Sequence, residues 1–278
     1  MILSPGKEGY HFKPIKMDLQ LDGKLVIVSV GAKGIGLGIV KRLAVEKAIP
    51  VIIGRSEKDN LKSVDELKKE GYTAHHVVAE LTEPAECSKA IEEVVNRFGR
   101  IEGLVNNAGV NDGVGLEKGD YEGFIKSYHR NVVHYYLLAQ YALPELIRSK
   151  GSILNITSKT AETGQGGTSG YAAANGARNA LTREWAVELL KYNIRVNAVV
   201  VAESWTPLYE KWLTSLPDPE GTLKKITANI PLGNRMTSVD EIANMAVFLL
   251  SPVSSHTTGQ IIHVDGGYVH LDRALANA

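Results

Sequence analysis

The sequence contains almost no cysteine, no excess charge of either sign and no long apolar run. Cys87 is the only cysteine among 278 residues, so no internal disulfide can form and nothing indicates an oxidising compartment. The 31 basic and 31 acidic side chains balance, which removes any long-range attraction to nucleic acid or to an anionic membrane. A membrane-spanning run and a signal-peptide pattern are both missing. We therefore expect a cytoplasmic protein whose partners include neither nucleic acid nor a membrane.

What the sequence does contain is an alternation of short apolar runs with amphipathic stretches. Runs that are nearly continuous in Val, Ile and Leu predict strands covered on both faces, and the amphipathic stretches predict helices. The predicted strands are residues 25–30, 51–54, 74–79, 104–106, 152–156, 195–200 and 260–264, and the predicted helices are 36–47, 57–70, 84–98, 121–149, 170–191 and 239–250. This alternation predicts a single α/β domain with a doubly wound parallel sheet of about seven strands and helices on both faces.

The first residues of the chain do not fit this alternation. Residues 1–16 have no apolar periodicity and carry Pro, Gly and several charges. We expect them to form a poorly ordered extension, with the folded domain spanning residues 17–278.

A glycine-rich turn follows the first predicted strand. Gly31, Gly34 and Gly36 lie between that strand and the first helix. Glycines at such a turn let the backbone approach a pyrophosphate, whose charge is favoured at a helix N-terminus. Because any strand–helix turn can be rich in glycine, the prediction of a dinucleotide site depends on the context of first strand, turn and amphipathic helix.

Two basic residues indicate which dinucleotide would bind. Arg55 follows the second strand, where an acidic residue suits the ribose 2′-hydroxyl of NAD and an arginine suits the 2′-phosphate of NADP. Lys33, in the glycine turn, adds a second positive charge. These residues favour NADP, with NAD as the alternative cofactor. Two solvated surface cations would give the same pattern.

Several motifs resemble those of the short-chain dehydrogenase/reductase family, whose fold is of the Rossmann type. Tyr171 follows Ser158 by thirteen residues, as in the family's catalytic pair, and Asn131 matches its catalytic Asn. Residues 106–109 match its N-N-A-G motif and residues 265–267 its D-G-G motif. The resemblance implies that Tyr171 is the base, that Ser158 binds the substrate oxygen and that Asn131 supports a water chain that carries the proton away.

The same resemblance assigns the cofactor contacts. Residues 29–36 are similar to the family's T-G-x-x-x-G-x-G turn, with Val30 in place of its first glycine. A β-branched side chain is unfavourable at that point, so we expect weakened cofactor binding. The implied cofactor-binding residues are Ser29, Gly31, Lys33, Gly34, Ile35, Gly36, Arg55, Glu80, Leu81, Asn107, Ala108, Gly109 and Thr206.

The catalytic motif departs from the family at position 175. The family places a Lys four residues after its Tyr, on the same helix face, where its charge lowers the pKa of the tyrosine. Asn175 stands there instead and brings no charge, although its amide can still donate a hydrogen bond to the nicotinamide ribose. We expect weak turnover that rises with pH and improves in Asn175→Lys. Lys159, beside Ser158, is either a surrogate for the missing charge or a surface lysine.

Longer runs are similar to a subgroup of that family, the bacterial L-fucose dehydrogenases. These runs are residues 106–113, 158–166, 168–171, 180–189, 206–209 and 265–275. They imply NAD(P)-dependent oxidation of L-fucose or a related aldose at C1, giving the lactone. Polar side chains must then discriminate the sugar hydroxyls, and the candidates are Asn111, Gln165, Thr168, Glu203, Tyr209 and Trp212. Trp212 either stacks on an apolar sugar face or is a core residue.

Two functions of different class remain open. One is a working or weakened sugar dehydrogenase, which the presence of Ser158, Tyr171 and Asn131 favours. The other is a nucleotide-binding pseudoenzyme that serves as a sensor or assembly subunit, which Val30 and Asn175 favour. The eight histidines show no metal-ligand spacing, so we predict no catalytic metal. The resemblance implies a homotetramer or a dimer, with helices 121–149 and 170–191 pairing across a two-fold axis.

Overall fold

A parallel seven-stranded sheet forms the centre of the computed structural model, which describes residues 18–271. The strand order is β3-β2-β1-β4-β5-β6-β7, and every neighbouring pair is parallel. The predicted doubly wound parallel sheet is therefore confirmed. The extension predicted at residues 1–16 lies outside the described residues.

All seven predicted strands are present, with ends shifted by a few residues. The strands are β1 (Leu25–Ser29), β2 (Ile49–Gly54), β3 (His75–Val78), β4 (Gly103–Asn106), β5 (Ser152–Ser158), β6 (Arg195–Val201) and β7 (Ile261–Val264). The helices are α1 (Gly34–Val45), α2 (Glu57–Lys69), α3 (Pro84–Phe98), α4 (Tyr121–Tyr128), α5 (His134–Ser149), α6 (Ser169–Glu188), α7 (Pro207–Thr214), α8 (Pro219–Ala228) and α9 (Val239–Leu250).

The prediction of one helix over residues 121–149 was wrong in one respect. A π-helical segment, His129–Val133, joins α4 to α5 and contains Asn131. The short helices α7 and α8 were not predicted. Each begins with a proline, which is pre-organised for the first turn of a helix.

Helices cover the sheet on both faces because alternate strand residues point to opposite sides. In β1, Leu25 and Ile27 pack with α3, α5 and α6, whereas Val26 and Val28 pack with α1, α2 and α9. All five β1 residues are buried, which explains why this strand reads as a continuous apolar run. Within residues 18–271 no helix is long and apolar enough to cross a membrane.

The strand order reverses between β1 and β4, which lie side by side although they are distant in the chain. In doubly wound sheets the crevice at the carboxyl ends of such strands is where ligands bind. The glycine turn follows β1, the 107–113 loop follows β4, and Ser158 ends β5 at the same edge. The fold thus brings the sequence-predicted residues to one crevice.

A buried histidine lies beside this crevice, at the start of α5. His134 is almost fully buried, and neither of its ring nitrogens has a hydrogen-bond partner within the described part of the chain. Burial, assisted by the positive charge of Arg178, lowers the pKa of His134 to about 3. The imidazole is therefore neutral at pH 7, whereas the unfolded chain takes up a proton below about pH 6.5.

We predict that His134 makes the protein less stable as the pH falls. Since its folded pKa lies below its unfolded pKa, stability is lost between about pH 6.5 and pH 3, at roughly 1.4 kcal/mol per pH unit. Urea unfolding at pH 6.5 and 5.0 should show the wild type losing about 2 kcal/mol more than His134→Phe. The matched control is His256→Phe at an exposed position, which should keep the wild-type slope. Equal slopes in all three proteins would contradict the burial argument.

Candidate functional site

The glycine turn after β1 is held against the end of β4. The Ser29 hydroxyl oxygen accepts hydrogen bonds from the backbone N–H groups of Asn107 at 2.8 Å and Ala108 at 3.0 Å. In return, Asn107 Nδ2 donates to the carbonyl oxygens of Ser29 at 3.0 Å and Val30 at 3.3 Å. The polar side chains of Ser29 and Asn107, both predicted to bind cofactor, thus fix the shape of the turn.

Close packing explains the glycine at position 36, and a positive φ explains the one at position 34. A Cβ on Gly36 would overlap the Val30 carbonyl oxygen and lie 2.7 Å from Asn107 Nδ2. Gly34 has φ +54°, which L side chains rarely adopt. The N-cap of α1, Lys33, makes no side-chain cap bond, and the first turn contains no acidic residue. The first N–H groups of α1 are therefore open to an anionic group such as a pyrophosphate.

Val30 occupies a backbone conformation that normally requires glycine. Its φ is +51°, its side chain is 43% exposed, and its N–H donates to the Ile53 carbonyl at 2.7 Å. A β-branched residue in the left-handed region costs of order 1–2 kcal/mol. The positive φ of Val30 therefore gives the structural reason for the expectation, drawn from the sequence, that a valine is unfavourable at this turn.

A cavity of about 800 Å³ opens beside the glycine turn, within the size range of cofactor sites. Its lining includes six residues that the sequence predicted for the cofactor: Lys33, Arg55, Glu80, Leu81, Ala108 and Gly109. Of the other predicted residues, Ser29, Gly31, Gly34, Ile35, Gly36 and Asn107 belong to the turn or its clamp. Thr206 faces Gly34, but its hydroxyl caps α7 by accepting from Tyr209 N–H at 3.2 Å.

The two cations predicted to select NADP are each paired with a carboxylate. Lys33 Nζ lies 2.6 Å from Asp59 Oδ2, and Arg55 Nη1 lies 3.2 Å from Glu80 Oε2. The hydrogen bond from Lys33 lowers the pKa of Asp59. Burial alone would raise the pKa of Glu80, but hydrogen bonds from Thr82 and Arg55 outweigh it and lower that pKa. Both cations are largely exposed at the mouth of the cavity and remain accessible to a phosphate.

The predicted catalytic residues lie on three elements that meet at the crevice. Ser158 ends β5, is buried, and its Oγ accepts from Thr160 N–H at 3.3 Å. Tyr171 is the half-buried third residue of α6. Asn131 lies in the π-helical segment, where its Oδ1 accepts from Val110 N–H at 2.8 Å and its Nδ2 donates to the Val110 carbonyl at 3.0 Å. The Asn131 side chain thus fastens the loop after β4.

Asn175, in place of the family's Lys, is fully buried and has partners on both sides. Its Nδ2 donates to the Tyr171 carbonyl at 2.9 Å, and its Oδ1 accepts from Arg178 Nη1 at 3.0 Å. Sequence reasoning missed Arg178, which is only 3% exposed. The signal available was its spacing, since positions 171, 175 and 178 recur at i, i+4 and i+7 and share one helix face.

A second polar cluster lies beside Ser158. Lys159 is buried and forms an ion pair with Glu203, whose other oxygen accepts from the Tyr209 hydroxyl at 2.6 Å. Lys159 Nζ also lies 4.2 Å from the centre of the Tyr268 ring. Burial lowers the pKa of Lys159, but its bond to Glu203 outweighs this and raises it. The alternative that Lys159 is a surface lysine was therefore wrong, and its charge is committed to Glu203.

The remaining substrate candidates lie on α7 and on the loops after β4 and before α6. Trp212 is 46% exposed and packs edge-on against Tyr209, with ring centres 5.1 Å apart, so it is not a core residue. Asn111 and Gln165 are exposed, and Thr168 precedes α6 without a side-chain cap bond. The loops carrying them are joined by a bond from Gly170 N–H to the Val114 carbonyl at 3.0 Å.

Three side chains from distant parts of the chain form a possible metal-ligand group. Ligand atoms of Glu162, His263 and His270 all lie within 4.8 Å of one another. Glu162 Oε2 and His263 Nε2 are 3.1 Å apart, which is also a hydrogen-bond distance. Sequence spacing could not reveal this group, because its members follow β5, lie in β7 and lie near the end of the described residues. The prediction of no catalytic metal stays a prediction.

The glycine turn, Ser158 and Tyr171 all fall within residues 30–269, which match the family model described as enoyl-(acyl carrier protein) reductase. The chain belongs to the short-chain dehydrogenase/reductase family. L-fucose dehydrogenase from Bos taurus is 34% identical to it over 252 residues, which cover 90% of this chain and 91% of that protein.

Solved structures of this short-chain dehydrogenase/reductase family superpose over most of the chain. Cj0485 dehydrogenase has a TM-score of 0.88 and 48% sequence identity, covering 93% of this chain and 98% of its own. Gluconate 5-dehydrogenase from Burkholderia cenocepacia, solved in complex with NADP and tartrate, has a TM-score of 0.82 and 29% identity, covering 90% of this chain and 97% of its own. The chain is accordingly an oxidoreductase with the Rossmann-type fold that its sequence predicted.

We predict that Val30→Gly stabilises this short-chain dehydrogenase/reductase. Glycine removes the steric strain of a β-branched residue at positive φ, so the free energy of unfolding should rise by about 1 kcal/mol. The control is Val45→Gly at the end of α1, where a valine of similar exposure has helical geometry; there stability should fall by about 0.5 kcal/mol. Equal losses in both variants, measured by denaturant unfolding, would show that Val30 is unstrained.

Proposed function

We propose that this short-chain dehydrogenase/reductase oxidises an aldose at C1 to the lactone, with L-fucose or a related sugar as substrate and NADP as the preferred acceptor. The observation that carries the proposal is the placement of Ser158 between two features. In the order of the sheet, the glycine turn after β1 lies on one side of Ser158, and Glu203 of the Lys159–Glu203–Tyr209 cluster, which follows β6, lies on the other. Such a site suits a polyhydroxylated substrate next to a dinucleotide.

The residues of the crevice fit a nicotinamide dinucleotide. The N-terminus of α1, which has no side-chain cap and no acidic residue in its first turn, suits the pyrophosphate. Arg55 and Lys33 stand at the cavity mouth, where they would hold a 2′-phosphate, and Leu81 and Ala108 would contact the adenosine part. When bound there, the nicotinamide accepts the hydrogen of the sugar C1 together with its electron pair.

The chain itself moves the proton. Tyr171 would take the proton of the C1 hydroxyl while Ser158 donates a hydrogen bond to the same oxygen. The C1–O single bond becomes the carbonyl of the lactone as the proton leaves. Ser158 is held in place by the end of β5, so its hydroxyl needs no reorganisation to meet the substrate.

Recognition of the sugar hydroxyls falls to the second polar cluster. The Glu203 carboxylate is held by Lys159 and Tyr209, and its remaining lone pairs can accept hydrogen bonds from sugar hydroxyls. An epimer that failed to supply those donors would leave a partly buried carboxylate under-bonded, which lowers its kcat/KM. The exposed Trp212 offers a ring for the apolar face of the sugar.

A second candidate is a protein that binds the dinucleotide without turning over a sugar. The strained Val30 and the uncharged Asn175 favour it. We further propose that the protein is a homotetramer or a dimer, with α5 and α6 pairing across a two-fold axis. This is supported by the exposed apolar side chains of Tyr136 on α5 and Val187 on α6.

We predict NADP-dependent oxidation of L-fucose, with Tyr171→Phe lowering kcat by at least about a hundredfold through loss of the base. Tyr121→Phe, which removes an exposed hydroxyl at the start of α4, is the control and should keep full activity. The assay is NADPH formation over a panel of aldoses. Binding of NADPH without oxidation of any aldose would favour the second candidate. A protein that neither binds NADPH nor oxidises an aldose would contradict both candidate functions.

We predict that Arg55→Ala weakens NADP binding about tenfold relative to NAD, the effect of one lost charge-assisted hydrogen bond. Lys62→Ala is the control, because Lys62 is an exposed lysine of α2 that does not line the cavity. Equilibrium titration of both reduced dinucleotides gives the ratio. An unchanged ratio in Arg55→Ala would mean that Arg55 does not contact the 2′-phosphate.

A further inference from the structure

We infer that Arg178 supplies the positive charge that the family's lysine would supply from position 175, and that Asn175 positions it. The inference rests on the proposed dehydrogenase function. It differs from the pseudoenzyme alternative, in which the missing lysine leaves the site without a cation.

The guanidinium of Arg178 is fixed at the point where the catalytic elements meet. Its Nε donates to the Asn131 carbonyl at 2.6 Å, and its Nη2 donates to the Ala108 carbonyl at 3.1 Å. Its Nη1 donates to Asn175 Oδ1 at 3.0 Å and to the Ile156 carbonyl at 3.3 Å. The cation therefore contacts the π-helical segment, the loop after β4, strand β5 and helix α6, which carries Tyr171.

The charge of this group is not neutralised by the surrounding protein. Arginine stays protonated in proteins, and Arg178 forms no ion pair within residues 18–271. Its partners are carbonyl and amide oxygens together with the face of the Tyr135 ring, 4.3 Å away. A buried cation without an anion is costly for folding. It does, however, stabilise negative charge that forms nearby, as when Tyr171 or the substrate oxygen gives up a proton.

Asn175 supplies the side-chain acceptor that positions the Arg178 guanidinium. A lysine at position 175 would replace an acceptor of Arg178 with an ammonium group, and two buried cations would then face each other. The structure thus reverses the expectation drawn from the sequence alone. Asn175→Lys should harm the protein unless Arg178 is removed as well.

Arg178 also limits the routes open to the proton. An arginine cannot release its proton, so it cannot act as a relay in the way that a lysine can. The Asn131 carbonyl accepts from Arg178, and the Asn131 side chain is bound to Val110 and Ser127. The water chain through Asn131 that the family resemblance implied stays a prediction.

The first test measures cofactor binding and needs no turnover. Oxidised nicotinamide carries a positive ring and reduced nicotinamide is neutral, so a nearby cation disfavours the oxidised form. In Arg178→Met, the affinity for NADP⁺ relative to NADPH should rise about tenfold. Arg178→Lys and Asn175→Lys/Arg178→Met each keep one cation and should give the wild-type ratio. Arg183→Met, at an exposed position of α6, should change nothing.

The second test measures the pH profile of sugar oxidation in the same variants. Arg178→Met should lose at least tenfold in kcat at pH 7 and recover at pH 10, because a higher pH favours the same proton removal that the cation favours at pH 7. The double variant should recover at pH 7, whereas Asn175→Lys alone should not. Circular dichroism checks that each variant is folded.

The outcomes separate this inference from the proposed function. An affinity ratio in Arg178→Met equal to that of the wild type would overturn the inference. If Arg178→Met does not fold, a ratio in the two single-cation variants that differs from the wild type by tenfold would overturn it instead. A ratio that responds as stated, in a protein that oxidises no aldose, would overturn the proposed substrate and leave Arg178 as the cation of the site.

Discussion

The hydrogen bonds of the Arg178 guanidinium hold the crevice together. The five oxygens that receive them come from Ala108, Asn131, Ile156 and Asn175, each on a different segment of the chain, and two of the five belong to Asn131. Because buried donors and acceptors must be satisfied, the position of each segment constrains the others. The loop after β4, the π-helical segment, β5 and α6 are thereby held around one buried cation.

Seen from this interaction, the two departures from the family differ in kind. Asn175 has two well-defined partners and is part of an intact network, so the missing lysine does not by itself indicate a dead site. Val30 has no such compensation. Its positive φ leaves a β-branched side chain strained at the glycine turn, beside the cavity that would hold the dinucleotide. We therefore expect Val30 to weaken cofactor binding, whereas we do not expect Asn175 by itself to impair the acid–base chemistry.

The sequence predicted the sheet because a strand buried on both faces leaves a continuous apolar run, as in Leu25–Ser29. Helices with a weak apolar periodicity are harder to predict, and α7 and α8 were not predicted. The π-helical segment around Asn131 has no sequence signature, since it depends on tertiary contacts such as those with Val110. Lys159 was expected on the surface because burial of a lysine depends on a distant partner, here Glu203. Arg178 was missed for the same reason, as its acceptors lie on other elements.

We infer that the buried Arg178 guanidinium, which forms no ion pair within residues 18–271, remains in the crevice when the protein works as a dehydrogenase. A crystal structure with NADP⁺ bound tests it most directly. In that structure Arg178 should keep its bonds to Asn131 and Asn175 and meet no carboxylate or phosphate, while Tyr171 should face the nicotinamide. A guanidinium that had left these oxygens, or that was paired with an anion of the protein or the cofactor, would contradict it.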